Sequence, residues 1–267
     1  MPELPEVETI KRGLLETVLN KEIIDAKIIL SKSFVNKKNI DFKGKINEIN
    51  RVGKYIIIKI KDKCSIVIHL RMTGKLIYLK SIDEIKDNHV RFIFYLNDGS
   101  CLLFNDVRTF GQIEIYPPNI NILKIKNIGA DALSEAFTLE YFEDILKKRK
   151  TPIKNLLLNQ SIIAGIGNIY AMEILFASKV SPLKYSHTLT KKQIQIIYNN
   201  IKHILNLAIL HNGTSISDFR NIDDKTGEFQ NFLKIYGKKI CPECNNTLWK
   251  TLQNNRTTLY CKNCQES

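Results

Sequence analysis

The chain has 267 residues, 44% of them hydrophobic, so it can fill the core of one large domain or of two ordinary ones. No apolar stretch approaches the eighteen or more residues of a membrane span, and the acidic start lacks the pattern of a secretory signal. These features exclude a membrane protein, and we expect a cytoplasmic one with no membrane partner.

The charge is strongly basic. Forty Lys and Arg residues against twenty-seven Asp and Glu residues give a formal net charge of +13, which indicates a polyanionic partner, most often nucleic acid. The chain is also rich in Ile, Asn and Lys together, a bias typical of AT-rich genomes. Codon usage can therefore account for part of the lysine excess.

The start of the chain, MPELPEVETI, predicts a helix but is not fully explained by one. Pro5 suits the first turn of a helix, while Glu6 and Glu8 favour the positive end of the helix dipole. Pro2 and Glu3 precede the helix and contribute to no apolar face. The apolar residues that recur at helical spacing are Val7, Ile10, Leu14 and Val18.

From about residue 22 to 116 the hydrophobic pattern has mostly period two. The runs are EIIDAKIIL, YIIIKI, SIVIHLRM, KLIYLK, VRFIFYL and SCLLF. Asn97-Asp98-Gly99 predicts a hairpin turn between the last two. We expect a β-sandwich or flattened barrel behind the first helix.

After Pro117-Pro118 the pattern becomes helical. Thr138 can cap a helix to about Lys150, and Thr151-Pro152 opens another through Leu158. AGIGNIYAMEILF predicts a glycine turn entering a helix near Asn168. Thr190 and Gln193 make a capping box for a long helix that ends at Asn212-Gly213.

The chain therefore predicts an α+β protein of three domains. These are an N-terminal β-sandwich domain (1–118), a helical domain (119–236) and a C-terminal zinc finger (237–267). Residues 212–236 form a polar loop within the second domain, and loops of that length are typically functional or disordered.

Four of the six cysteines form one pattern near the C-terminus. Cys241-x2-Cys244 and Cys261-x2-Cys264, separated by sixteen residues, have the spacing of a structural zinc site with four thiolate ligands. Two disulfides or a redox pair are the alternatives. The hairpin between the pairs carries Arg256, which suits phosphate contact or is a solvated surface arginine.

Six segments together resemble the bacterial formamidopyrimidine-DNA glycosylases, which excise oxidised purines such as 8-oxoguanine. The segments are MPELPEVET, GKY at 53–55, HLRMTGKL at 69–76, DVRTFG at 106–111, AGIGNIYAMEILF at 164–176 and CPEC…RTTLYCKNCQ at 241–265. The resemblance covers essentially the whole chain, and it implies a helix–two-turn–helix in the helical domain. The implied partner is double-stranded DNA with oxidised purines or abasic sites, bound by a monomer.

The resemblance implies that Met1 is removed and that the secondary amine of Pro2 is the nucleophile. Glu3 would carry protons and Glu6 would support the site. The damaged base would leave first, and β- and δ-elimination would then cut the strand. The N-terminal domain would thus be the catalytic one.

The resemblance also assigns the DNA contacts. Met72, Arg108 and Phe110 match the wedge that fills the hole left by a flipped base. From its strand pattern alone, Met72 would be a core residue. The residues implied to grip phosphates or face DNA are Lys54, His69, Lys154, Asn168 and Arg256.

Two of these residues can also be judged from their local pattern. His69 shares a strand face with Val67 and Arg71, opposite three apolar residues, so core burial is the less natural interpretation for it. Asn168 follows glycines at a helix start, where backbone N–H groups attract anions, or it is a plain N-cap. The loop at 212–236 would close over the flipped base through backbone amides around Ser215 to Phe219.

Three residues depart from the family pattern. Asn159 stands where aspartate is usual, Val107 where proline is usual, and Thr257 where glycine commonly follows the hairpin arginine. The first two can shift local rigidity, and the third can change how Arg256 is aimed. None removes a catalytic group.

Three other functions are compatible with the sequence. An enzyme resembling endonuclease VIII would use the same proline chemistry on oxidised pyrimidines, although the ELPEVET start and the long loop favour the purine enzyme. A non-catalytic, zinc-containing DNA-binding protein would not depend on the terminal amine. A decayed paralogue would still bind abasic DNA, but the intact Pro2, Glu3 and four cysteines argue against it.

Overall fold

The computed structural model describes residues 1–85, 88–216 and 219–266. The chain forms two compact units. The first contains Met1–Ile125 and His211–Gln230, and the second contains Lys126–Leu210 and Asn231–Ser267. Among the described residues, no helix is both long enough and apolar enough to cross a membrane.

The first unit begins with helix α1 (Leu4–Thr17), in which Pro5 occupies the first turn as predicted. A short helix, α2 (Ile122–Lys126), follows the strands. The strands of this unit are β1 (Glu22–Ile28), β2 (Phe34–Val35), β3 (Gly44–Val52), β4 (Tyr55–Ile60), β5 (Cys64–His69), β6 (Lys75–Leu79), β7 (Val90–Leu96), β8 (Cys101–Asn105) and β9 (Gln112–Tyr116). They form one sheet in the order β2-β9-β5-β4-β3-β1-β7-β8-β6.

The alternating runs are confirmed as strands, and three further strands join them. The predicted hairpin connects β7 and β8, where Gly99 has a φ of 84° and its N–H donates to Leu96 O at 3.1 Å. The strands that no quoted run covers are β2, β3 and β9. In β3 the two buried residues, Ile46 and Ile49, are three positions apart, so the strand shows no alternation of period two.

The main core of the first unit lies between α1 and the sheet. The four apolar residues predicted for the helix face are all buried there, at 0–1% exposure. Phe219 and Ile222, from the segment that returns at 211–230, belong to the same cluster. A Cβ atom at Gly13 would lie 2.4 Å from the Ile222 side chain, so the helix needs glycine at this contact.

The second unit is mainly helical. Its elements are β10 (Ala130–Asp131), α3 (Leu139–Lys147), α4 (Ile153–Leu158), β11 (Ile163–Ala164), α5 (Asn168–Ala177), α6 (Lys191–Leu210), β12 (Trp249–Gln253) and β13 (Arg256–Tyr260). Thr138 caps α3 as predicted, accepting from Tyr141 N at 3.1 Å, and the helix ends slightly earlier than predicted. The capping box of Thr190 and Gln193 at the start of α6 is also confirmed.

Candidate active site and nucleic-acid interface

The head of α1 holds Pro2 and Glu3 in place. Pro2 is buried, and Glu3, the N-cap residue, is 3% exposed. The backbone N–H of Glu3 donates to Glu6 Oε2 at 2.7 Å, and the two glutamates form a capping box. The dipeptide that the helix pattern leaves unexplained is therefore fixed at the helix start by Glu6.

Glu6 also binds a segment far away in the sequence. Its second carboxylate oxygen, Oε1, accepts the N–H of Thr214 at 2.7 Å, and the side chain is buried. Gly213, with a φ of 77°, approaches so closely that a Cβ atom there would lie 2.9 Å from Oε1. One carboxylate thus joins the head of α1 to the start of the 212–236 loop, a pairing that no local pattern could indicate.

The 212–236 loop is closed by its own hydrogen bonds. Ser215 Oγ accepts the N–H of Gly227 and donates to Phe219 O, both at 2.9 Å. The Ser215 N–H donates to Gln230 Oε1 at 3.0 Å. Among the amides predicted to cover a flipped base, those of Ser217 and Asp218 lie outside the described residues.

Lys54 lies at the turn between β3 and β4, directly after Gly53, and is 5% exposed. Arg51 fixes this turn, because its Nε donates to Glu8 Oε2 at 2.9 Å and its Nη1 donates to Gly53 O at 3.0 Å. Burial acts to raise the pKa of Glu8, but the hydrogen bonds and charges of Arg51, Lys11 and Arg12 together outweigh it, so the pKa lies below its usual value. Arg51 therefore holds the turn that carries Lys54, a contact that the sequence does not indicate because a lone arginine on a strand carries no pattern.

The expectation that His69 avoids the core is wrong, because it is 8% exposed. Strand β5 is an interior strand between β4 and β9, and both of its faces are covered. On the face of His69, Val67 packs against Ile122 of α2, and the Tyr55 ring lies 4.6 Å from the imidazole ring. The imidazole Nδ1 accepts the N–H of Arg71 at 2.9 Å, which orients the ring.

Met72 and Phe110 lie in exposed turns of the first unit. Met72 follows β5 in a turn and is 40% exposed, so its interpretation as a strand core residue is wrong. Phe110, in the turn between β8 and β9, is 52% exposed. The Arg108 guanidinium lies 5.1 Å from the centre of the Phe110 ring. Exposed apolar side chains of this size mark a contact surface when they belong to a patch.

The two turns are joined by a buried carboxylate. Asp106 is 0% exposed and accepts the hydroxyl of Thr73 on Oδ1 and the N–H of Gly111 on Oδ2, the latter at 2.7 Å. Thr73 Oγ1 in turn accepts the N–H of Arg108 at 3.0 Å. Both residues lie in segments that carry the family resemblance, but only the fold shows that they pair.

In the second unit, Asn168 is the first residue of α5 and Gly167 is the N-cap, so the interpretation of Asn168 as a plain N-cap is wrong. The Asn168 side chain reaches the β12–β13 hairpin. Its Nδ2 donates to Thr257 O at 3.2 Å. Thr257, which stands where glycine is common in the family pattern, lies within the regular β12–β13 pairing, opposite Leu252.

Lys154 is fully buried and anchors the same hairpin. Its Nζ donates to Thr258 Oγ1 at 2.7 Å. The N–H of Leu259 also lies 3.1 Å from the thioether of Met172 on α5. Arg256, the first residue of β13, is exposed on this anchored hairpin.

The four cysteines near the C-terminus are free thiols, and their side chains point towards one another. All four sulfurs lie within 4.8 Å of one another, with 3.8 Å between Cys241 and Cys264 and 3.5 Å between Cys244 and Cys261. A tetrahedral zinc ion with Zn–S bonds of about 2.3 Å separates its sulfurs by about 3.8 Å. The cysteines can therefore hold a metal ion, and they pack against Met172 and Phe176 of α5.

Comparison with known proteins agrees with this arrangement. The family model "Formamidopyrimidine-DNA glycosylase N-terminal domain" matches residues 1–113, and "Formamidopyrimidine-DNA glycosylase H2TH domain" matches residues 128–220. The fold and the site are thus those of a DNA glycosylase with a helix–two-turn–helix domain and a cysteine-rich hairpin.

Full-length relatives narrow this class further. A formamidopyrimidine-DNA glycosylase of Carboxydothermus hydrogenoformans is 41% identical over 273 residues and covers 100% of both chains. The structure of a Lactococcus lactis FPG mutant with Fapy-dG containing DNA has a TM-score of 0.91 at 32% identity, with 100% of both chains covered. A MutM structure with carbocyclic 8-oxo-G containing DNA has a TM-score of 0.90 at 32% identity and the same coverage. The chain belongs to the formamidopyrimidine-DNA glycosylase family.

Proposed function

We propose that the chain is a bifunctional DNA glycosylase and AP lyase of base excision repair that removes oxidised purines from duplex DNA. The proposed substrates are 8-oxoguanine and formamidopyrimidines, and the DNA in the related structures supports both. The observation that carries the proposal is the buried Pro2-Glu3 dipeptide, held at the head of α1 by the Glu6 carboxylate.

The nucleophile in this proposal is the secondary amine of Pro2 after removal of Met1. An α-amino group has a pKa of about 7.7 to 8.0, so about one-tenth of it is neutral at pH 7, whereas a lysine amine is neutral in only about one molecule in 2,500. The amine needs no special environment to react. Its fixed position beside Glu3 supplies the orientation.

The first step exchanges one bond at C1′ for another. The Pro2 nitrogen forms a bond to C1′ and loses its own proton while the bond to the damaged base breaks, and the base leaves with the bonding electron pair and takes up a proton. Glu3 donates a proton to the sugar ring oxygen as the ring opens to an iminium ion. The iminium makes the neighbouring sugar proton acidic, and successive β- and δ-elimination expel the phosphates on both sides.

We propose that side chains from both units grip DNA. Lys54 and His69 from the first unit, with Asn168 and Arg256 from the second, would bind phosphates. Lys154 would act through the hairpin that it anchors. Met72, Arg108 and Phe110 would enter the duplex where the lesion leaves the stack, which their exposure supports.

The proposed metal is one zinc ion held by Cys241, Cys244, Cys261 and Cys264. Four thiolates leave no position for water, so the ion would stabilise the hairpin and take no part in the reaction. We also propose a monomeric cytoplasmic protein, with the three domains 1–118, 119–236 and 237–267.

Borohydride trapping tests the proposal directly. Incubation with a duplex carrying 8-oxoguanine and sodium borohydride should yield a covalent protein–DNA adduct, because the iminium is reduced to a stable amine. A duplex with thymine glycol should trap less, and a protein with an extra residue before Pro2 should not trap at all. If neither 8-oxoguanine DNA nor abasic DNA forms an adduct, the catalytic proposal is contradicted, and the protein would be a DNA-binding protein without this activity.

A further inference from the structure

A basic cavity of about 610 Å³ opens on the second unit, and neither Pro2 nor Glu3 is among its described lining residues. The segment that joins α3 to α4, one side and the end of α4, and the turn of the β12–β13 hairpin form its walls. Among the described lining residues, Arg256 also belongs to the proposed phosphate grip.

Four cations line the cavity: Lys148, Arg149, Lys150 and Arg256. All four are exposed, and none forms an ion pair with any residue that the structure describes. No carboxylate is among the described lining residues. Like charges gathered without a counter-charge repel one another, so a bound anion would stabilise this arrangement.

The backbone around the cavity is held in place before any ligand binds. Ser186 fixes the basic link at two points, because its hydroxyl donates to Arg149 O and its N–H donates to Thr151 O at 2.9 Å. The opposite wall is fixed by the bond from Lys154 to Thr258. Side chains on fixed backbone lose less entropy when they bind an anion.

We propose that this cavity binds an internal phosphodiester of the DNA backbone, next to the phosphate held by Arg256. The inference rests on the proposed function because DNA supplies the ligand. Arg149 and Lys150 bind the phosphate oxygens. The cavity is larger than one phosphate group, so it admits the attached sugar as well.

The test compares charge losses inside and outside the cavity. Affinity for a duplex carrying a non-cleavable tetrahydrofuran abasic analogue is measured by fluorescence anisotropy over a series of salt concentrations. The double variant Arg149→Gln/Lys150→Gln should bind about five to ten times more weakly at 0.1 M salt. The slope of log K against log salt should fall by about 0.9, the value for one phosphate contact.

The matched control is Lys191→Gln/Lys192→Gln, which removes two exposed lysines that do not line the cavity and that form no ion pair with a described residue. Its salt slope should stay within about 0.3 of the wild-type value. Equal losses of DNA affinity in the two double variants would overturn the site, because the loss would then reflect only the net charge of the protein.

A second variant adds a charge instead of removing one. Asn254 lines the cavity in the hairpin turn, where its φ is 48°, a left-handed conformation that Asp also tolerates. Asn254→Asp keeps the side-chain shape, so it should fold normally and weaken binding of the intact duplex several-fold. Undiminished binding in this variant would count against an anion in the cavity.

A second duplex, which is gapped at the lesion and carries terminal phosphates, distinguishes an internal phosphodiester from a terminal phosphate as the ligand of the cavity. The intact duplex should show the loss of affinity. A loss confined to the gapped duplex would overturn the internal phosphodiester and assign the cavity to a reaction product. Borohydride trapping by the wild-type protein tests the proposed function separately, so failure of one proposal is distinguishable from failure of the other.

Discussion

At the scale of single residues, the most informative side chains are buried polar groups with long-range partners. Glu6 joins the helix start to Thr214, and Asp106 joins two turns. A buried carboxylate needs hydrogen bonds to offset its lost hydration, so each such group fixes the backbone that supplies the donors. The exposed residues proposed to touch DNA depend on these fixed positions.

Replacing the proposed nucleophile should separate chemistry from binding. In Pro2→Gly the terminal amine remains, but the ring that fixes its direction is lost. We expect single-turnover excision of 8-oxoguanine to fall by a factor on the order of 100, with affinity for a tetrahydrofuran duplex within about threefold of wild type. A variant that cuts at the normal rate would show that the proline ring is not needed and would count against the role assigned to Pro2.

The ion pair between Lys21 and Asp98, 2.7 Å apart, predicts a pH-dependent contribution to stability. The hydrogen bond from Lys21 lowers the pKa of Asp98 to about 2, below its unfolded value. A lowered folded pKa stabilises the protein above about pH 4 and loses its effect as the pH falls towards 2. Because Asp98 is 44% exposed, Asp98→Asn should cost only a few tenths of a kcal/mol at pH 7.

Urea unfolding of the wild type and Asp98→Asn at pH 7 and pH 3 measures this effect. The difference in the free energy of unfolding should be smaller at pH 3. A difference that is equal at both values would show that the ion pair is not its cause.

At the scale of elements, short turns present exposed side chains because other elements hold them. Asp106 ties the turn after β5 to the turn after β8, and the four-cysteine cluster and Lys154 hold the β12–β13 hairpin. These turns are too short to keep one conformation alone, so their order comes from contacts outside them.

Removing the Thr73 hydroxyl should loosen the wedge turns. In Thr73→Val the Asp106 carboxylate and the Arg108 N–H each lose a partner, and we expect a loss of about 1–3 kcal/mol in the free energy of unfolding. Insertion of the wedge residues into DNA should decrease. The fluorescence of 2-aminopurine placed beside the lesion measures this insertion. Thr73→Ser keeps the hydroxyl and is the matched control; equal losses in both variants would exclude the hydrogen bonds as the cause.

Loss of one metal ligand should detach the hairpin. Purified wild-type protein should contain one zinc ion per chain by elemental analysis, and Cys261→Ser should contain much less. DNA affinity should fall because Arg256 is no longer held in place, while α5 loses part of its packing. Cys101→Ala, which changes a buried cysteine far from the pattern in sequence, should retain the zinc. Full zinc content in Cys261→Ser would contradict the assignment.

At the scale of the whole molecule, the net charge of +13 and the distribution of cations over both units predict a strong dependence of DNA binding on salt. Arg256→Ala should weaken binding to all duplexes by a similar factor and lower the salt slope by about 1. Anisotropy titrations on duplexes with and without a lesion measure both quantities. An unchanged slope would remove Arg256 from the phosphate grip.

Much of the fold could be predicted from sequence because its signals are local. The α1 face, the Asn97-Asp98-Gly99 hairpin and the helix caps each depend on residues within a few positions of one another. Strand β3 was not predicted because its two buried residues, Ile46 and Ile49, are three positions apart. His69 was misjudged because the alternation of one strand does not show whether its second face is covered.

The sequence by itself determined the helix starts, most strands, the four-cysteine spacing and the family, because each is encoded in short patterns with fixed spacing. Only the tertiary structure decided that Glu6 meets Thr214, that Thr73 meets Asp106, and that the link before α4 shares a cavity with Arg256. These contacts join residues tens to hundreds of positions apart. Their partners are chosen by how sheets and helices pack, and periodicity along the chain carries no record of that choice.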